Sequence, residues 1–259
     1  MSTYPQTLFD LSGRKALVTG ASGGLGEHFA HTLARAGAEV VLAARRADKL
    51  EATVQAIRAA GGKACAVAMD VVDRASVIDA LDRANEQVGT LDILVNNAGV
   101  SGTKRALDYT DEDWDWVVNT NLKGAWIVAQ ETARRLIQAK QPGSLINITS
   151  ILASRVTGLL SPYAAAKSGL QQLTRALALE FARYDIRVNS IAPGYFITEI
   201  NREHLSGAEG EKFKQRIPTR RFGEYADLEG PLLLLASPAG RHMTGSEIVV
   251  DGGHLVSAL

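Results

Sequence analysis

The sequence predicts one α/β domain over residues 1–259, in which helices cover both faces of a parallel sheet. Short apolar runs alternate with longer amphipathic stretches, which is the pattern of right-handed strand–helix–strand units. The length of 259 residues suits one large α/β domain. No linker, repeat or low-complexity segment marks a second domain. The predicted architecture is a single-domain, doubly wound, three-layer αβα fold.

The predicted strands are short and nearly continuous in apolar character, as expected of parallel strands buried on both faces. In chain order they are Lys15–Thr19, Glu39–Ala43, Lys63–Met69, Leu91–Val95, Ser144–Ile148 and Ile186–Ser190. Helical periodicity fills the stretches between them. The predicted helices are Gly24–Ala36, Asp48–Ala60 (stopped by Gly61-Gly62), Arg74–Val88, a long region from about Asp111 to Lys140, and Pro162–Tyr184.

The segment from Gly194 to Glu224 interrupts this rhythm, because it is polar and lacks strand signals. Long connections inside compact domains are usually functional and often form lids. We therefore predict a substrate lid at about residues 195–225, with His204 as a candidate substrate contact.

Composition narrows the class of protein. Lys plus Arg (28) balances Asp plus Glu (28), so no net field recruits nucleic acid or an anionic membrane. Cys65 is the only cysteine, which excludes an intramolecular disulfide and fits a reducing compartment. The first residues lack the features of a signal peptide, and no apolar run approaches the roughly 18 residues of a membrane span. We therefore expect a cytoplasmic protein. The five histidines do not have the spacing of a metal site, so no metal is expected.

A glycine-rich turn follows the first predicted strand and opens the first predicted helix. Thr19 to Gly26 reads Thr-Gly-Ala-Ser-Gly-Gly-Leu-Gly, with the spacing Gly20-x-x-x-Gly24-x-Gly26. Glycine lets the backbone approach a phosphate closely, and a helix amino terminus offers N–H donors to a pyrophosphate. The spacing differs from the common Gly-x-Gly-x-x-Gly fingerprint. Its position nevertheless favours a dinucleotide site over a plain turn.

Two further loops leave the carboxyl ends of predicted strands, where ligands bind in such sheets. Asn96-Asn97-Ala98-Gly99 follows the fourth strand, and Asp70-Val71 follows the third. The asparagine amides can bond the backbone or a ligand, and Asp70 can equally be a turn residue.

Tyr163 and Lys167 lie four residues apart in a predicted helix, so their side chains share one face, about 5–6 Å apart at Cβ. A free tyrosine titrates near 10 and is a poor acid or base at neutral pH. A cation about 4–5 Å away favours the phenolate by roughly 3–4 kcal/mol. We therefore expect Lys167 to lower the pKa of Tyr163 and make it a proton donor and acceptor near neutral pH.

Taken together, these motifs resemble those of the classical short-chain dehydrogenase/reductase family. The matching segments occur in the family's order: Thr19–Gly26, Asn96–Gly99, Tyr163–Lys167, Pro193–Gly194 and, near the end, Val250–Gly253. The resemblance covers nearly the whole chain and implies a Rossmann-type fold. It is specific for the family and poorly specific for substrate.

The resemblance implies a catalytic tetrad of Asn121, Ser150, Tyr163 and Lys167. Ser150 lies thirteen residues before Tyr163, the family's usual interval, and its hydroxyl would hold a substrate carbonyl. Thr149 and Ser154 are competing candidates for that role. Asn121, expected in mid-helix, would link the lysine through water to a proton path.

The resemblance also implies a nicotinamide cofactor bound along the same loops. Pro193, Gly194 and Thr198 would hold the carboxamide, and Lys167 the neighbouring ribose. The full set of predicted cofactor-binding residues is Gly20, Ser22, Gly23, Gly24, Leu25, Gly26, Arg45, Arg46, Asp70, Val71, Asn97, Ala98, Gly99, Tyr163, Lys167, Pro193, Gly194 and Thr198.

We predict NADP(H) rather than NAD(H) as the cofactor. An NAD site usually places a carboxylate at the end of the second strand, and this position is Ala44, followed at once by Arg45. A guanidinium pairs well with a phosphate. Two observations weigh against the prediction: Ser22 and Gly23 add no basic group, and Arg45 and Arg46 could be solvated residues at the start of a helix.

The expected activity is hydride transfer between the cofactor and a carbonyl or secondary alcohol. The resemblance also implies a homotetramer, in which the long helices that carry Asn121 and Tyr163 pack across a two-fold interface. Trp114, Trp116 and Trp126 are expected in the core or an interface. Two alternatives are an NAD-dependent alcohol dehydrogenase and a non-catalytic dinucleotide-binding sensor, because a fold does not determine a function. A serine hydrolase is disfavoured, since no Gly-x-Ser-x-Gly elbow surrounds Ser150.

Overall fold

The computed structural model describes residues 7–46, 48–198, 205 and 207–257. In this part of the chain, seven parallel strands form one sheet in the order β3-β2-β1-β4-β5-β6-β7. The strands are β1 (Lys15–Thr19), β2 (Glu39–Ala44), β3 (Lys63–Ala68), β4 (Ile93–Asn96), β5 (Gly143–Ile148), β6 (Ile186–Pro193) and β7 (Glu247–Val250). The strand order reverses between β1 and β4, and this switch point opens a crevice at the carboxyl edge of the sheet.

Helices cover both faces of the sheet, which confirms the predicted three-layer αβα architecture. They are α1 (Gly24–Arg35), α2 (Asp48–Ala59), α3 (Arg74–Val88), α4 (Asp111–Val118), α5 (Ala125–Ala139), α6 (Ser161–Phe181), α7 (Gly207–Arg216) and α8 (Glu229–Ala236). One core lies under α1, α2 and α8, and a second lies under α3, α5 and α6.

Alternation along the strands divides apolar side chains between these two cores. In β1, Ala16 and Val18 belong to the first core and Leu17 to the second. In β5, Ile146 faces the first core and Leu145 the second. All five side chains are fully buried, because a parallel sheet covered on both faces exposes neither side of its central strands.

Local sequence explains where several helices begin. Asp73 caps α3 by accepting a hydrogen bond from the Ala75 amide at 2.9 Å. Thr110 and Asp113 form a reciprocal capping box at the start of α4. Pro162 occupies the first turn of α6, where its missing N–H costs no helical hydrogen bond.

The long predicted helix from Asp111 to Lys140 is interrupted in the structure. A π-helical segment, Asn119–Gly124, separates α4 from α5. Helix α5 then ends at Ala139, and Lys140 turns into the left-handed region at φ 52°. Wider turns of this kind occur mostly at functional sites, and this one carries Asn121.

Three short elements escaped sequence-based prediction: β7, α7 and α8. Strand β7 has four residues. Helix α8 has eight residues and contains four consecutive leucines, Leu232 to Leu235. Strand β6 also continues to Pro193, beyond the predicted end at Ser190. None of the helices in the described ranges is both long enough and apolar enough to traverse a lipid bilayer.

The segment between Gly194 and Glu224 contains more order than its polar composition indicates. It includes α7 and a small apolar cluster of its own, in which Leu205, Ile217 and Phe222 are buried. A parallel bridge joins Phe196 to Gly223, so the two ends of the segment lie side by side. His204 lies outside the described residues.

Candidate active site

One cavity of about 950 Å³ runs along the carboxyl edge of the sheet. The loops that follow β1 to β6 border it. All but one of the predicted site residues line it: Gly20, Ser22, Gly23, Gly24, Leu25, Arg45, Arg46, Asp70, Val71, Asn97, Ala98, Gly99, Asn121, Ser150, Tyr163, Lys167, Pro193, Gly194 and Thr198. Residues scattered over most of the chain are therefore brought to one place.

Gly26 is the exception, and its expected contact with the cofactor is corrected. It lies behind the glycine loop, where an added Cβ would meet the Gly20 carbonyl oxygen at 2.3 Å and the Asn97 Nδ2 at 2.6 Å. Glycine is required here because α1 and the loop pack too closely for any side chain.

The remaining glycine loop is shaped to admit a pyrophosphate. Gly20 and Gly24 both have left-handed backbones, at φ 64° and 58°. Gly23 precedes α1 and supplies no side-chain cap, so the amino terminus of the helix is left to a ligand. A Cβ on Gly24 would lie 3.9 Å from Thr198, which places that residue across the opening. These features fit a dinucleotide.

Asn97 holds the glycine loop in place. Its Nδ2 donates to the carbonyl oxygens of Thr19 at 3.0 Å and Gly20 at 3.2 Å. Asn96 is buried and donates to Ala125 and Asn147. The sequence left open whether these amides bond the backbone or a ligand. In the structure both asparagines bond within the protein, and Asn97 also lines the cavity.

Asp70 combines the two roles considered for it. Its Oδ1 accepts a hydrogen bond from the Val72 amide at 3.1 Å, as in a turn, and the residue also lines the cavity. The loop after β3 is thus a structured border of the cavity.

Three basic side chains cluster where β2 ends. Arg45, Arg46 and Lys49 all line the cavity and are exposed. None of them forms an ion pair within the described ranges. Sequence reasoning missed Lys49, although a third cation four residues beyond Arg45 was a readable signal.

Ser150 is distinguished from its competitors by its surroundings. Thr149 is buried and its hydroxyl contacts Ile191 and Glu247, while Ser154 accepts a bond from Gln171 and does not line the cavity. The Ser150 Oγ accepts from the Leu152 amide at 3.1 Å. Its own proton therefore remains available for a bond to Tyr163 or a substrate oxygen.

Tyr163 and Lys167 lie on α6 as predicted, with the Lys167 ammonium 5.7 Å from the centre of the Tyr163 ring. The Lys167 Nζ donates to the Ile148 carbonyl oxygen at 2.7 Å. We call the part of the cavity beside Ser150 and Tyr163 its substrate end.

The expected lowering of the Tyr163 pKa is wrong for this structure. Burial raises the pKa of Tyr163, and the hydrogen bond with Ser150 only partly opposes that rise. Burial also lowers the pKa of Lys167 to about 8. Desolvation penalises both charged forms, and this effect exceeds the attraction estimated from spacing alone.

Asn121 anchors the loop after β4 through both ends of its amide. Its Nδ2 donates to the Val100 carbonyl oxygen at 2.7 Å, and its Oδ1 accepts from the Val100 amide at 2.9 Å. A Cβ on Gly99 would approach this Oδ1 to 2.6 Å, which explains the glycine there. No hydrogen bond joins Asn121 directly to Lys167 among the described contacts.

The tryptophans only partly follow expectation. Trp126 packs against the second core beneath Arg74, whereas Trp114 and Trp116 are nearly half exposed. Trp116 lines the cavity, as do Tyr195 and Phe213 of the predicted lid. Sequence reasoning missed these aromatic neighbours, and no metal-binding cluster of His, Cys, Asp or Glu occurs where the structure is described.

Known proteins match this arrangement over nearly the full chain. The family model described as enoyl-(acyl carrier protein) reductase matches residues 20–254. A gluconate 5-dehydrogenase of Gluconobacter oxydans is 37% identical over 96% of this chain and 98% of its own length. A 2-dehydro-3-deoxy-D-gluconate 5-dehydrogenase of Escherichia coli is 38% identical over 95% of this chain and 97% of its own.

A solved structure is equally similar. It is a gluconate 5-dehydrogenase of Burkholderia cenocepacia in complex with NADP and tartrate, 36% identical, with a TM-score of 0.95 over 98% of this chain and 100% of that one. On its sequence motifs, its fold and these full-length matches, the chain belongs to the short-chain dehydrogenase/reductase family and is an oxidoreductase of that family.

Proposed function

We propose that the protein is an NADP-dependent oxidoreductase that interconverts a carbonyl compound and a secondary alcohol, with Tyr163 as the general acid/base. One observation carries the proposal: a single cavity is lined both by Ser150, Tyr163 and Lys167 and by the three basic side chains that follow β2. The relatives named for gluconate and its keto acids support a small polyhydroxylated substrate.

The residues at the substrate end divide the work on the reacting oxygen. When bound, the nicotinamide supplies or accepts the hydride. In reduction, the Ser150 hydroxyl donates a hydrogen bond to the carbonyl oxygen, and Tyr163 delivers a proton to it. In oxidation, Tyr163 removes that proton. The raised pKa of Tyr163 keeps the phenol protonated at neutral pH, which suits proton donation.

Lys167 and Asn121 support this centre in different ways. The ammonium of Lys167 lies over the tyrosine ring and is held by Ile148, so it can stabilise negative charge on the phenol and bind a ribose hydroxyl. Asn121 fixes the loop after β4. It thereby shapes one wall beside the substrate end.

Cofactor preference provides the test of the charged end. We expect wild type to prefer NADP(H) over NAD(H) in kcat/KM by at least about tenfold, or roughly 1.4 kcal/mol. Ala44→Asp/Arg45→Ala should reverse the preference, because the new carboxylate repels the 2′-phosphate and binds a ribose hydroxyl instead.

A matched control is Arg58→Ala, which removes an arginine from the far end of α2, where its Nε bonds the Ala64 carbonyl oxygen. This variant should keep the wild-type preference. A wild-type preference for NAD(H) would refute the NADP assignment and leave the reaction class intact.

Residues 195–225 form the substrate lid in this proposal. Both ends are pinned, since the Gly223 amide donates to the Tyr195 carbonyl oxygen at 2.9 Å and the Tyr225 hydroxyl to that of Ile197 at 2.8 Å. Between them, α7 carries Phe213, which lines the cavity. Closure over ligand would exclude water from the site.

Hydrogen exchange tests the lid. Amides of α7 should exchange quickly in the free protein and slowly with NADP(H) and a substrate bound, while amides of α3 serve as the unchanged control. Equal protection of α7 in both states would indicate a fixed insertion.

A homotetramer and a cytoplasmic location complete the proposal. Leu179 on α6 is 83% exposed, and Val249 on the edge strand β7 is 40% exposed. Apolar residues on these elements are suited to contacts between chains. Light scattering after size-exclusion chromatography would give four chain masses, and a single chain mass would contradict the assembly.

A further inference from the structure

Leu159 adopts a strained backbone conformation at the substrate end of the cavity. Its φ is 70°, in the left-handed region that glycine enters freely and residues with side chains avoid. Gly158 is the preceding residue, and an added Cβ there would meet nothing. Position 159 therefore carries a leucine, although glycine would adopt this backbone conformation at a lower energetic cost. The neighbouring Gly158, by contrast, has room for a side chain. Strain of this kind clusters at ligand sites.

Hydrogen bonds from a second loop hold Leu159 in this conformation. Its carbonyl oxygen accepts from the Lys104 amide at 3.2 Å and from the Tyr109 hydroxyl at 2.8 Å. The same hydroxyl lies 2.5 Å from the Gly102 carbonyl oxygen. Tyr109 has one proton for two acceptors, so the Lys104 amide keeps the Leu159 carbonyl bonded even when Tyr109 turns to Gly102.

The held residue borders the same cavity as the reacting groups. Leu159 lines the cavity together with Ser150 and Tyr163, and its side chain is half exposed. Val156, in the same loop, is far more exposed and does not line the cavity. The backbone that carries this apolar side chain is thus held at the cavity wall, whereas Val156 lies outside the cavity lining.

We propose that Leu159 is a specificity-determining residue that limits the size of the group on one side of the reacting carbonyl, so that the substrates are compact ketones or alcohols. The proposal rests on the function proposed above. Tyr109 is its positioning residue.

The test compares two diketones that differ in one substituent, 2,3-butanedione and 1-phenyl-1,2-propanedione, reduced with NADPH. Wild type should favour the smaller compound in kcat/KM. Leu159→Ala removes the bulk and keeps the strain, whereas Leu159→Gly removes both. Each should shift the ratio toward the phenyl compound by at least about tenfold, the scale of discrimination by an apolar wall.

Two controls separate this effect from a general loosening of the loop. Val156→Ala should leave the ratio unchanged, and NADPH affinity, measured by its fluorescence, should be unchanged in all three variants. Three outcomes would refute the role of Leu159 and leave the proposed function intact. They are an unaltered ratio in both Leu159 variants, the same shift in Val156→Ala, and a wild-type preference for the phenyl compound. If wild type reduces neither diketone nor any ketone of a polyol panel, the proposed function fails and this inference fails with it.

Discussion

Tyr163→Phe is expected to lower kcat at least about a hundredfold, the low end for the loss of a general acid or base. The substitution removes one oxygen and leaves the ring beside Lys167. NADPH affinity, measured by fluorescence titration, should therefore stay near the wild-type value. The physical reason is that no other hydroxyl on α6 lies at the substrate end, where Tyr163 is in contact with Ser150.

The matched control is Tyr184→Phe. Tyr184 follows α6, and its hydroxyl contacts Arg183 outside the cavity. The same chemical change there should leave kcat unaltered. Turnover near the wild-type level in Tyr163→Phe would remove this residue from the mechanism.

Burial gives the Tyr163–Lys167 pair a character that spacing alone did not predict. With its pKa raised, the phenol holds its proton at neutral pH. With a pKa of about 8, Lys167 is still mostly charged at pH 7 and loses that charge as the pH rises further. The site is thus poised as a proton donor, and a phenolate must form with the help of groups brought by cofactor and substrate.

Sequence patterns predicted most strongly what depends on neighbours in the chain. Strand β1 and helix α3 have the predicted bounds, because their signals lie within their own residues. The pairing of Tyr163 with Lys167 follows equally from helical spacing. The glycine loop was recognisable because a turn between strand and helix has local sequence requirements.

Features set by distant contacts could not be predicted. The π-helical segment at Asn121 accompanies two bonds to Val100, 21 residues earlier. The interval to Tyr163 had already favoured Ser150 over Thr149, but the bond that holds the Thr149 hydroxyl to Glu247, 98 residues away, could not be read from the sequence. The pKa values depend on burial, which the spacing of two residues cannot reveal.

Order within the lid was missed for a related reason. Polar stretches of sequence separate Tyr195, Phe213 and Phe222. In the fold, the ring centres of Phe213 and Phe222 lie 5.3 Å and 6.5 Å from that of Tyr195. A cluster of this kind has neither strand nor helix periodicity along the chain. Composition therefore indicated a polar loop where a small packed unit exists.

Ser150→Ala is expected to lower kcat by about a hundredfold, as for the loss of one donor to a developing oxyanion. The Ser150 Oγ accepts from the Leu152 amide, which leaves its proton for the substrate oxygen. Ser154→Ala provides the control, since that residue lies in the same loop but does not line the cavity. Its kcat should remain at the wild-type level.

The double variant Ser150→Ala/Tyr163→Phe separates catalysis from structural support. Both hydroxyls act on one substrate oxygen, so the double variant should lose clearly less than the product of the two single effects, as for residues that act as a unit. NADPH affinity should be retained throughout. Fully multiplicative losses, or a Ser150→Ala enzyme within about threefold of wild type, would show that Ser150 is not a partner of Tyr163 in the reaction, since groups that share one reacting atom are expected to couple.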